Sequence, residues 1–167
     1  GAHEIHDIYE NSSPQLVVPN ILSFSTEGKE FVYGAVRNPL QYWSPWRLND
    51  KGTDLEKKLG LKEIKDELID LLSPERLLDI LKNFSLFTTN KKKQRSKVIC
   101  RFQQYEGANK IVERVIEGKE KKGLIWHFQG SGKSLLMVFA AQKLRKLSEL
   151  KSPTVLVLVD RTDLDTQ

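Results

Sequence analysis

The stretch that most constrains the fold is GLIWHFQGSGKSLLMVFAAQKL, residues 123–144. Its apolar start, GLIWHF, reads as a buried strand that runs into a glycine-serine-glycine turn and then into a helical pattern through about Leu147. A second apolar run, TVLVLVD, follows at residues 154–160. Strand, loop, helix and strand in this order predict a right-handed βαβ unit with a parallel sheet. Because two parallel strands leave their faces and edges uncovered, we expect this unit to open a larger domain, cut short at Gln167.

The turn QGSGKS, residues 129–134, has the composition of a phosphate-binding loop. A phosphate needs inward-pointing backbone N–H groups at a helix N-terminus, a mobile ammonium and a hydroxyl that helps to hold magnesium. We predict that Lys133 contacts the β- and γ-phosphates and that the Ser134 oxygen lies on the metal, Mg²⁺. The predicted nucleotide-binding residues of the loop are Gln129, Gly130, Ser131, Gly132, Lys133 and Ser134. A glycine-rich turn that holds no ligand is the alternative.

His127 stands where the usual phosphate-loop pattern has its first glycine. That position joins strand to loop, whereas the phosphate is held mainly by residues 129–134, so the departure does not exclude a phosphate site. No Cys or His partner lies at metal-ligand spacing from His127. We therefore expect this histidine to pack or hydrogen-bond beside the loop.

Positive charge is concentrated in the middle of the chain. The formal net charge is +5, but between Ser85 and Gly123 there are 11 Lys and Arg against 4 Asp and Glu, a local net charge of +7, so the other residues carry −2. Such a local excess suggests a phosphate-rich partner. A solvated linker followed by the exposed face of a helix is the alternative.

The N-terminal part is predicted to contain a β-hairpin. Between Gln15 and Val36, two β-rich runs flank Thr26-Glu27-Gly28-Lys29, a turn-forming cluster whose glycine can take a positive φ. Beyond the hairpin, three aromatic residues lie around Pro45, namely Tyr42, Trp43 and Trp46. Such aromatics are more typical of a small core than of a base-stacking surface.

Two helices and a basic run follow. In LKEIKDELIDLL, residues 61–72, the apolar residues share one helical face, and Ser73-Pro74-Glu75 offers a capping hydroxyl, a fixed φ and an early carboxylate for a second helix. The apolar side of that helix is predicted to be Leu77, Ile80, Leu81 and Phe84. We interpret TTNKKKQRSK, residues 88–97, as an inter-domain linker or flexible connection.

A third helix is predicted in QQYEGANKIVERVIEG, residues 103–118, where Gly118 ends the apolar periodicity.

No apolar run approaches the roughly 20 residues that cross a bilayer, so no membrane partner is expected. The single cysteine, Cys100, excludes an internal disulfide and suits a reducing compartment. We expect a cytoplasmic protein.

Residues 97–167 resemble a known family. KVICRFQQYEGANKIVERV, GLIWHFQGSGKSLLMVFAAQKL and PTVLVLVDRTDLDTQ look like the start of the ATP-driven motor in the restriction (R, HsdR-type) subunit of type I restriction-modification enzymes, a superfamily 2 helicase-like translocase. WHFQGSGKS together with VDRTDLDTQ is more specific than the loop alone. Residues 15–47 also resemble the family's segment at the end of its nuclease domain, through looser motifs.

The resemblance implies a fold class and a division into domains. The fold would be α/β, with an incomplete RecA-like P-loop parallel sheet in the C-terminal part, preceded by an α+β segment with a β-hairpin and two helices. Residues 1–50 would be the C-terminal part of a nuclease-like domain, and residues 51–96 a helical segment with the basic linker. Residues 97–167 would be the N-terminal part of the first RecA-like ATPase domain.

The resemblance also implies site residues and partners. Gln104 matches the glutamine whose amide reads the adenine edge in this family, and an amide suits adenine because it offers a donor and an acceptor at once. A surface glutamine on an amphipathic helix is the alternative. Arg161 matches a motif that touches the DNA backbone in related motors, although a structural ion pair is an alternative. The implied cofactors are ATP and Mg²⁺. The implied partners are double-stranded DNA and the methylation and specificity subunits of a type I restriction complex.

The carboxylate pair and the distal arginine of such motors do not occur in this sequence, and the nuclease signature would lie upstream of Gly1. We therefore expect a fragment with one half of an ATP site and no nuclease centre, which alone binds nucleotide weakly and does not hydrolyse it. Two other functions stay open. One is another P-loop enzyme, such as a nucleotide kinase or a different DNA helicase. The other is a non-catalytic module that only binds nucleic acid.

Overall fold

The computed structural model describes residues 1–27, 30–47, 61–89, 93 and 95–158, and the protein is α/β over these residues. Two compact units are present, Gly1–Arg101 and Phe102–Gln167. The strands are β1 (Leu22–Thr26), β2 (Phe31–Ala35), β3 (Ser85–Thr89) and β4 (Arg95–Ile99). The described α-helices are α1 (Glu10–Ser12), α2 (Pro14–Val17), α3 (Leu61–Leu71), α4 (Pro74–Asn83), α5 (Phe102–Glu117) and α6 (Lys133–Lys146). A π-helical stretch, Glu4–Tyr9, precedes α1, and short 3₁₀ turns cover Leu40–Tyr42 and Ser148–Leu150.

The first hairpin is confirmed. β1 and β2 pair antiparallel from Leu22 opposite Ala35 to Thr26 opposite Phe31. Alternate β2 side chains point into the core, which leaves Phe31 and Tyr33 at most 2% exposed. Gly34 allows the Trp43 indole to lie against the strand, since a Cβ built at this glycine would overlap the indole ring.

The aromatic residues after the hairpin form part of the core, as predicted. Trp46 is 0% exposed and donates from Nε1 to Asp70 Oδ2 at 2.7 Å. The same carboxylate accepts from Arg76 Nη2 at 2.5 Å, and the Arg76 guanidinium lies 5.5 Å from the centre of the Trp46 ring. Trp43 is also buried, whereas Tyr42 stays half exposed. The buried indole therefore has its polar N–H satisfied, which makes its burial favourable.

The two predicted helices are confirmed as α3 and α4, although one detail of the second helix start is wrong. Pro74 occupies the first turn of α4, as predicted. The Ser73 hydroxyl makes no capping bond and donates instead to the Asp70 carbonyl at 3.0 Å. The preceding turn supplies that acceptor, so the hydroxyl points back toward α3 and away from the α4 amides. Ile80 and Phe84 are fully buried, as their periodicity predicts, while Leu81 is 48% exposed.

The structure corrects the interpretation of the basic run. β3 and β4 form a second antiparallel hairpin, with Ser85 opposite Ile99 and Thr89 opposite Arg95. The flexible connection predicted over residues 88–97 is therefore wrong for the paired residues. Short strands with backbone ladder bonds replace it, because SLFTT and RSKVI supply β-branched and aromatic residues that suit a pleated surface.

The end of the second hairpin is buried in the first unit. The Tyr33 hydroxyl donates to the Cys100 carbonyl at 2.7 Å, and the Cys100 side chain is 1% exposed. Burial raises the pKa of the Cys100 thiol far above its ordinary value, and it raises the pKa of the Tyr33 hydroxyl as well. Both groups therefore stay neutral, and Cys100 has the environment of an unreactive core thiol.

In the second unit α5 is confirmed and ends before Gly118, and α6 follows the glycine turn as predicted. The parallel sheet is not seen among the described residues, since residues 124–128 and 154–158 pair with no other described strand. Several of their apolar side chains are largely exposed, namely Leu124, Trp126, Phe128, Leu156 and Leu158. A β-strand is assigned only where its backbone is hydrogen-bonded to a neighbouring strand. In a parallel sheet that neighbour can be far away in the sequence.

No helix in the described part of the chain is both long and apolar enough to span a bilayer.

Candidate nucleotide-binding site

The loop between residues 128 and 133 makes a tight turn at two glycines. Gly130 has φ 81° and Gly132 has φ 80°, both in the left-handed region where a Cβ is unfavourable. The turn is closed by the Ser131 amide, which donates to the Phe128 carbonyl at 3.3 Å. The glycine positions predicted from the sequence are therefore the positions at which this backbone turns.

The loop delivers the chain to the N-terminus of α6. The Leu136 amide donates to the Gly132 carbonyl at 3.1 Å, so the amides of residues 133–135 precede the first bond of the helix ladder. Unpaired amides and the helix dipole give this end a partial positive charge that favours anions. Ser134 is the second residue of the helix and is partly buried.

The Lys133 side chain lies over the loop. Its Nζ donates to the Phe128 carbonyl at 2.9 Å and to the His127 carbonyl at 3.3 Å, while the residue stays exposed. A phosphate carries full negative charge, whereas a carbonyl is only a dipole, so an ammonium is attracted more strongly to a phosphate than to a neutral carbonyl. The cation is thus held close to the helix start by partners that an anion can replace.

Gln104 is placed beneath the same loop. It is 2% exposed, and its Nε2 donates to the Gly132 carbonyl at 3.0 Å and more weakly to the Ser131 carbonyl at 3.4 Å. The structure thus places Gln104 at the predicted loop, where its side chain contacts the loop backbone. Adenine recognition by Gln104 stays a prediction. The backbone contact was missed because it joins residues 27 or 28 positions apart, which no local pattern reveals.

Two glycines allow this close packing. A Cβ built at Gly132 would overlap Gln104 Nε2, whereas one built at Gly130 meets no atom within 4 Å. On α5, a Cβ at Gly107 would lie 2.6 Å from Leu136 Cδ1 and 3.6 Å from His127 Cε1. Gly107 therefore lets α5 approach α6 closely. Its position inside a helical pattern was the signal that could have indicated this contact.

The remaining predicted residues differ in what they present. Gln129 and Gly130 are exposed, whereas Ser131 is 0% exposed and its Oγ has no hydrogen-bond partner in the described part of the chain. Any phosphate contact from Ser131 must therefore come from its backbone. His127 packs beside the loop, with Nδ1 buried and lacking a partner among the described residues. Arg161 lies outside the described residues.

The described residues contain no group of three or more His, Cys, Asp or Glu side chains that could hold a metal ion. A cavity of about 590 Å³ lies between α5 and residues 120–127. It is lined by Ile111, Val115, Trp126 and several charged side chains, but by none of residues 129–134. The cavity and the predicted phosphate loop are therefore separate features of the second unit.

Gly132→Ala is expected to disturb the loop more than Gly130→Ala. Both substitutions force an alanine into a left-handed conformation at about 1–2 kcal/mol. Only Gly132→Ala also displaces the Gln104 amide, which adds about 1–3 kcal/mol for the buried groups left unpaired. Hydrogen exchange at the Leu136 amide, which donates to the Gly132 carbonyl, should accelerate more in Gly132→Ala, by about tenfold.

The double variant Gln104→Ala/Gly132→Ala is the matched control for this difference. Removing the amide first should reduce the effect of Gly132→Ala to that of Gly130→Ala. Equal acceleration by the two single glycine variants would contradict a supporting role of Gln104.

Comparisons with known proteins match both parts of the chain. The family model SWI2/SNF2 ATPase matches residues 103–167, which begin in α5 and include the glycine loop. The type I restriction enzyme HindI endonuclease subunit of Haemophilus influenzae is 34% identical over 96% of this chain. The chain is homologous to the endonuclease subunits of type I restriction enzymes. The resemblance predicted from the sequence is thereby confirmed.

Two relatives from Methanocaldococcus jannaschii extend the comparison, and both are provisionally named as endonuclease subunits of type I restriction enzymes. MjaVIIIP is 35% identical over 95% of the chain, and MjaVIIP is 35% identical over 73%. The chain spans only 16% of the length of the Haemophilus subunit and 15% and 11% of these two. No solved structure matches the chain at a significant level.

Proposed function

We propose that the chain is part of the restriction subunit of a type I restriction-modification enzyme, in which ATP hydrolysis drives translocation of duplex DNA and is coupled to its endonucleolytic cleavage. The homologous endonuclease subunits support the enzyme class, and the SWI2/SNF2 ATPase match supports a motor in the second unit. In this proposal the chain contributes the ATP-binding loop to the complete subunit.

One observation carries the proposal. Gly130 and Gly132 turn the backbone in the left-handed region immediately before α6, and Lys133 lies across the same turn on neutral acceptors. Backbone amides, a helix start and a replaceable ammonium thus converge on one small region. That donor set suits a polyphosphate and offers little to an apolar or a cationic ligand.

The residues of the loop and of the first turn of α6 are suited to hold ATP and Mg²⁺. Residues 132–134 would hold the phosphates through their amides, Lys133 would contact the outer phosphates, and the Ser134 hydroxyl would share the metal. Gln129, Gly130 and Ser131 would complete the loop through their backbones. Bound ATP supplies the phosphoanhydride whose hydrolysis releases free energy, and Mg²⁺ neutralises part of its charge.

Gln104 has two proposed roles. It supports the loop through the bonds from Nε2, and we keep adenine recognition as the role implied by the family resemblance. Because Nε2 already donates to two loop carbonyls, an adenine contact has to share this amide or rotate it. Such sharing would link base recognition directly to the loop conformation.

The wider assignments are part of the proposal. Residues 1–50 belong to the end of a nuclease-like domain, residues 51–96 to a connecting segment, and residues 97–167 to the first RecA-like domain. The boundary at residue 97 falls within β4, which is part of the first compact unit, so the compact second unit covers this domain only from Phe102 onward. In that domain residues 123–128 and 154–160 would form strands of a parallel P-loop sheet. Arg161 contacts the DNA backbone, and the methylation and specificity subunits complete a cytoplasmic complex.

ATP hydrolysis by the intact subunit, assembled with its partner subunits, tests the proposal. We expect hydrolysis to rise severalfold when duplex DNA is added and to disappear in Lys133→Ala. A nucleotide kinase would instead transfer phosphate to a small acceptor without any effect of DNA. A module that only binds nucleic acid would keep every activity in Lys133→Ala, and that result would contradict the motor.

A further inference from the structure

The second hairpin lies within a stretch of the sequence that has positive but no negative side chains. Residues 80–105 contain no Asp or Glu and seven cations, namely Lys82, Lys91, Lys92, Lys93, Arg95, Lys97 and Arg101. Three of them, Lys93, Arg95 and Lys97, are described on the hairpin and are here called the basic hairpin residues. A merely solvated surface usually mixes both signs of charge, so a single-sign block of this length calls for an anionic partner.

The pairing register places Arg95 and Lys97 on one surface of the hairpin. Phe87 stands opposite Lys97, and Thr89 stands opposite Arg95, so both cations are two residues apart on the same face of β4. Two residues of a strand span about 7 Å, which separates the two charges along one edge of the hairpin. Lys93 is exposed and has a φ of 61°.

Among the described residues, no carboxylate neutralises the charges of this surface. None of the three basic hairpin residues forms an ion pair within the described ranges. Lys97 Nζ donates to the neutral Asn20 carbonyl at 3.2 Å. The Arg95 guanidinium lies 4.2 Å from the centre of the Phe87 ring, and that ring is 57% exposed. The ring orients the guanidinium without removing its charge.

We propose that the basic hairpin residues contact the phosphate backbone of duplex DNA without reading its sequence. The inference rests on the proposed function, because duplex DNA is the polyanion on which the proposed motor acts. Duplex DNA carries about one negative charge per 1.7 Å of its axis, so several phosphates lie within reach of two cations on β4 and a third at residue 93. Lysine and arginine side chains of this kind position a protein on DNA, while specificity comes from contacts to base edges.

The test measures binding of the 167-residue chain to a fluorescein-labelled duplex of random sequence by anisotropy. The triple variant Lys93→Ala/Arg95→Ala/Lys97→Ala should bind about tenfold to a hundredfold more weakly at about 0.1 M salt, because it loses up to three phosphate contacts. The slope of log K against log salt concentration should decrease by about 2–3. The matched control is Lys65→Ala/Arg145→Ala/Lys151→Ala, which removes the same charge from exposed positions outside the basic segment 85–123.

The control separates local contact from net charge. Weaker binding and a smaller slope in the hairpin variant, with a lesser change in the control, support the contact. An equal loss in both variants, or an unchanged hairpin variant, overturns it and leaves the hairpin surface to an acidic protein partner. Lys93→Ala alone repeats the test if the triple variant melts early, since its exposed side chain makes no described bond.

Nucleotide binding measured on the same samples keeps the two proposals distinct. If the hairpin variant binds DNA and ATP like the wild-type chain, only the proposed contact between hairpin and DNA is wrong. Failure of the wild-type chain to bind ATP counts against the proposed function, whatever the DNA result.

Discussion

Lys133→Ala is expected to reduce the affinity of the chain for ATP by about tenfold to a hundredfold, which corresponds to the loss of a charged hydrogen bond of about 1.5–3 kcal/mol. The Lys133 ammonium lies over the loop on the carbonyls of His127 and Phe128. No packing is lost with this exposed side chain, so the free energy of unfolding should change by less than about 0.5 kcal/mol. Binding and stability should therefore respond very differently to one substitution.

Trp126 offers a probe for this measurement. It is 88% exposed and stands two residues before Phe128, whereas Trp43 and Trp46 are buried in the other unit. Energy transfer from Trp126 to a methylanthraniloyl derivative of ATP should report nucleotide at the loop. Because the wild-type chain is expected to bind weakly, the variant should show no measurable transfer at the same concentration.

Two further variants define the role of the lysine. Lys133→Arg keeps the charge but replaces a compact ammonium by a planar fork, so it should bind less tightly than wild type and more tightly than Lys133→Ala. Lys119→Ala removes an exposed charge from the same unit outside the loop and should leave binding unchanged. If Lys133→Ala binds ATP with wild-type affinity, the prediction that this loop binds the phosphates is wrong.

Trp46→Ala is expected to lower the free energy of unfolding of the first unit by about 3–5 kcal/mol. The indole is fully buried, donates to Asp70 and lies under the Arg76 guanidinium. Removing it leaves a cavity and takes one hydrogen bond from a partly buried carboxylate. Since small domains are stable by about 5–15 kcal/mol, this change approaches the stability of the unit.

The single cysteine reports the result locally. Cys100 belongs to the same unit as Trp46, is 1% exposed and has a pKa raised by burial, so a thiol reagent should label it only after the unit opens. In Trp46→Ala the rate of labelling should rise about a hundredfold or more, since each 1.4 kcal/mol is a factor of ten. Trp46→Phe, which keeps most of the volume, should give an intermediate rate.

An exposed aromatic residue is the control for this experiment. Tyr42 is 52% exposed, so Tyr42→Ala should change the labelling rate far less than Trp46→Ala. Similar rates in the two variants would mean that burial of Trp46 does not determine the stability of this unit.

The sequence was most informative where local chemistry decides the backbone. Thr26-Glu27-Gly28-Lys29 predicted the first hairpin, Pro74 predicted a helix start, and Gly130 and Gly132 stand where the loop needs a left-handed φ. The second hairpin was missed because Asn90–Gln94 holds lysines and no glycine, so its composition is that of a solvated linker. Composition alone does not reveal that flanking strands pair.

The contacts within the candidate site were harder to predict than its location. The bond from Gln104 to the Gly132 carbonyl depends on how α5 packs against the loop, and that packing depends on the missing side chain of Gly107. The Ser73 hydroxyl was equally hard to predict, since it donates to the Asp70 carbonyl in the preceding turn and does not cap α4. Side-chain partners over such distances follow from tertiary structure, whereas turn positions follow from backbone sterics.

Both hairpins join residues that are near neighbours along the chain, from Thr26 opposite Phe31 outward and from Thr89 opposite Arg95 outward. Each can therefore zip closed from its turn with a small loss of loop entropy, on a timescale of about 1–10 μs. During synthesis at about 5–20 residues per second, such elements have ample time to form as the chain leaves the ribosome. Each hairpin can thus begin to order before the residues that follow it have been made.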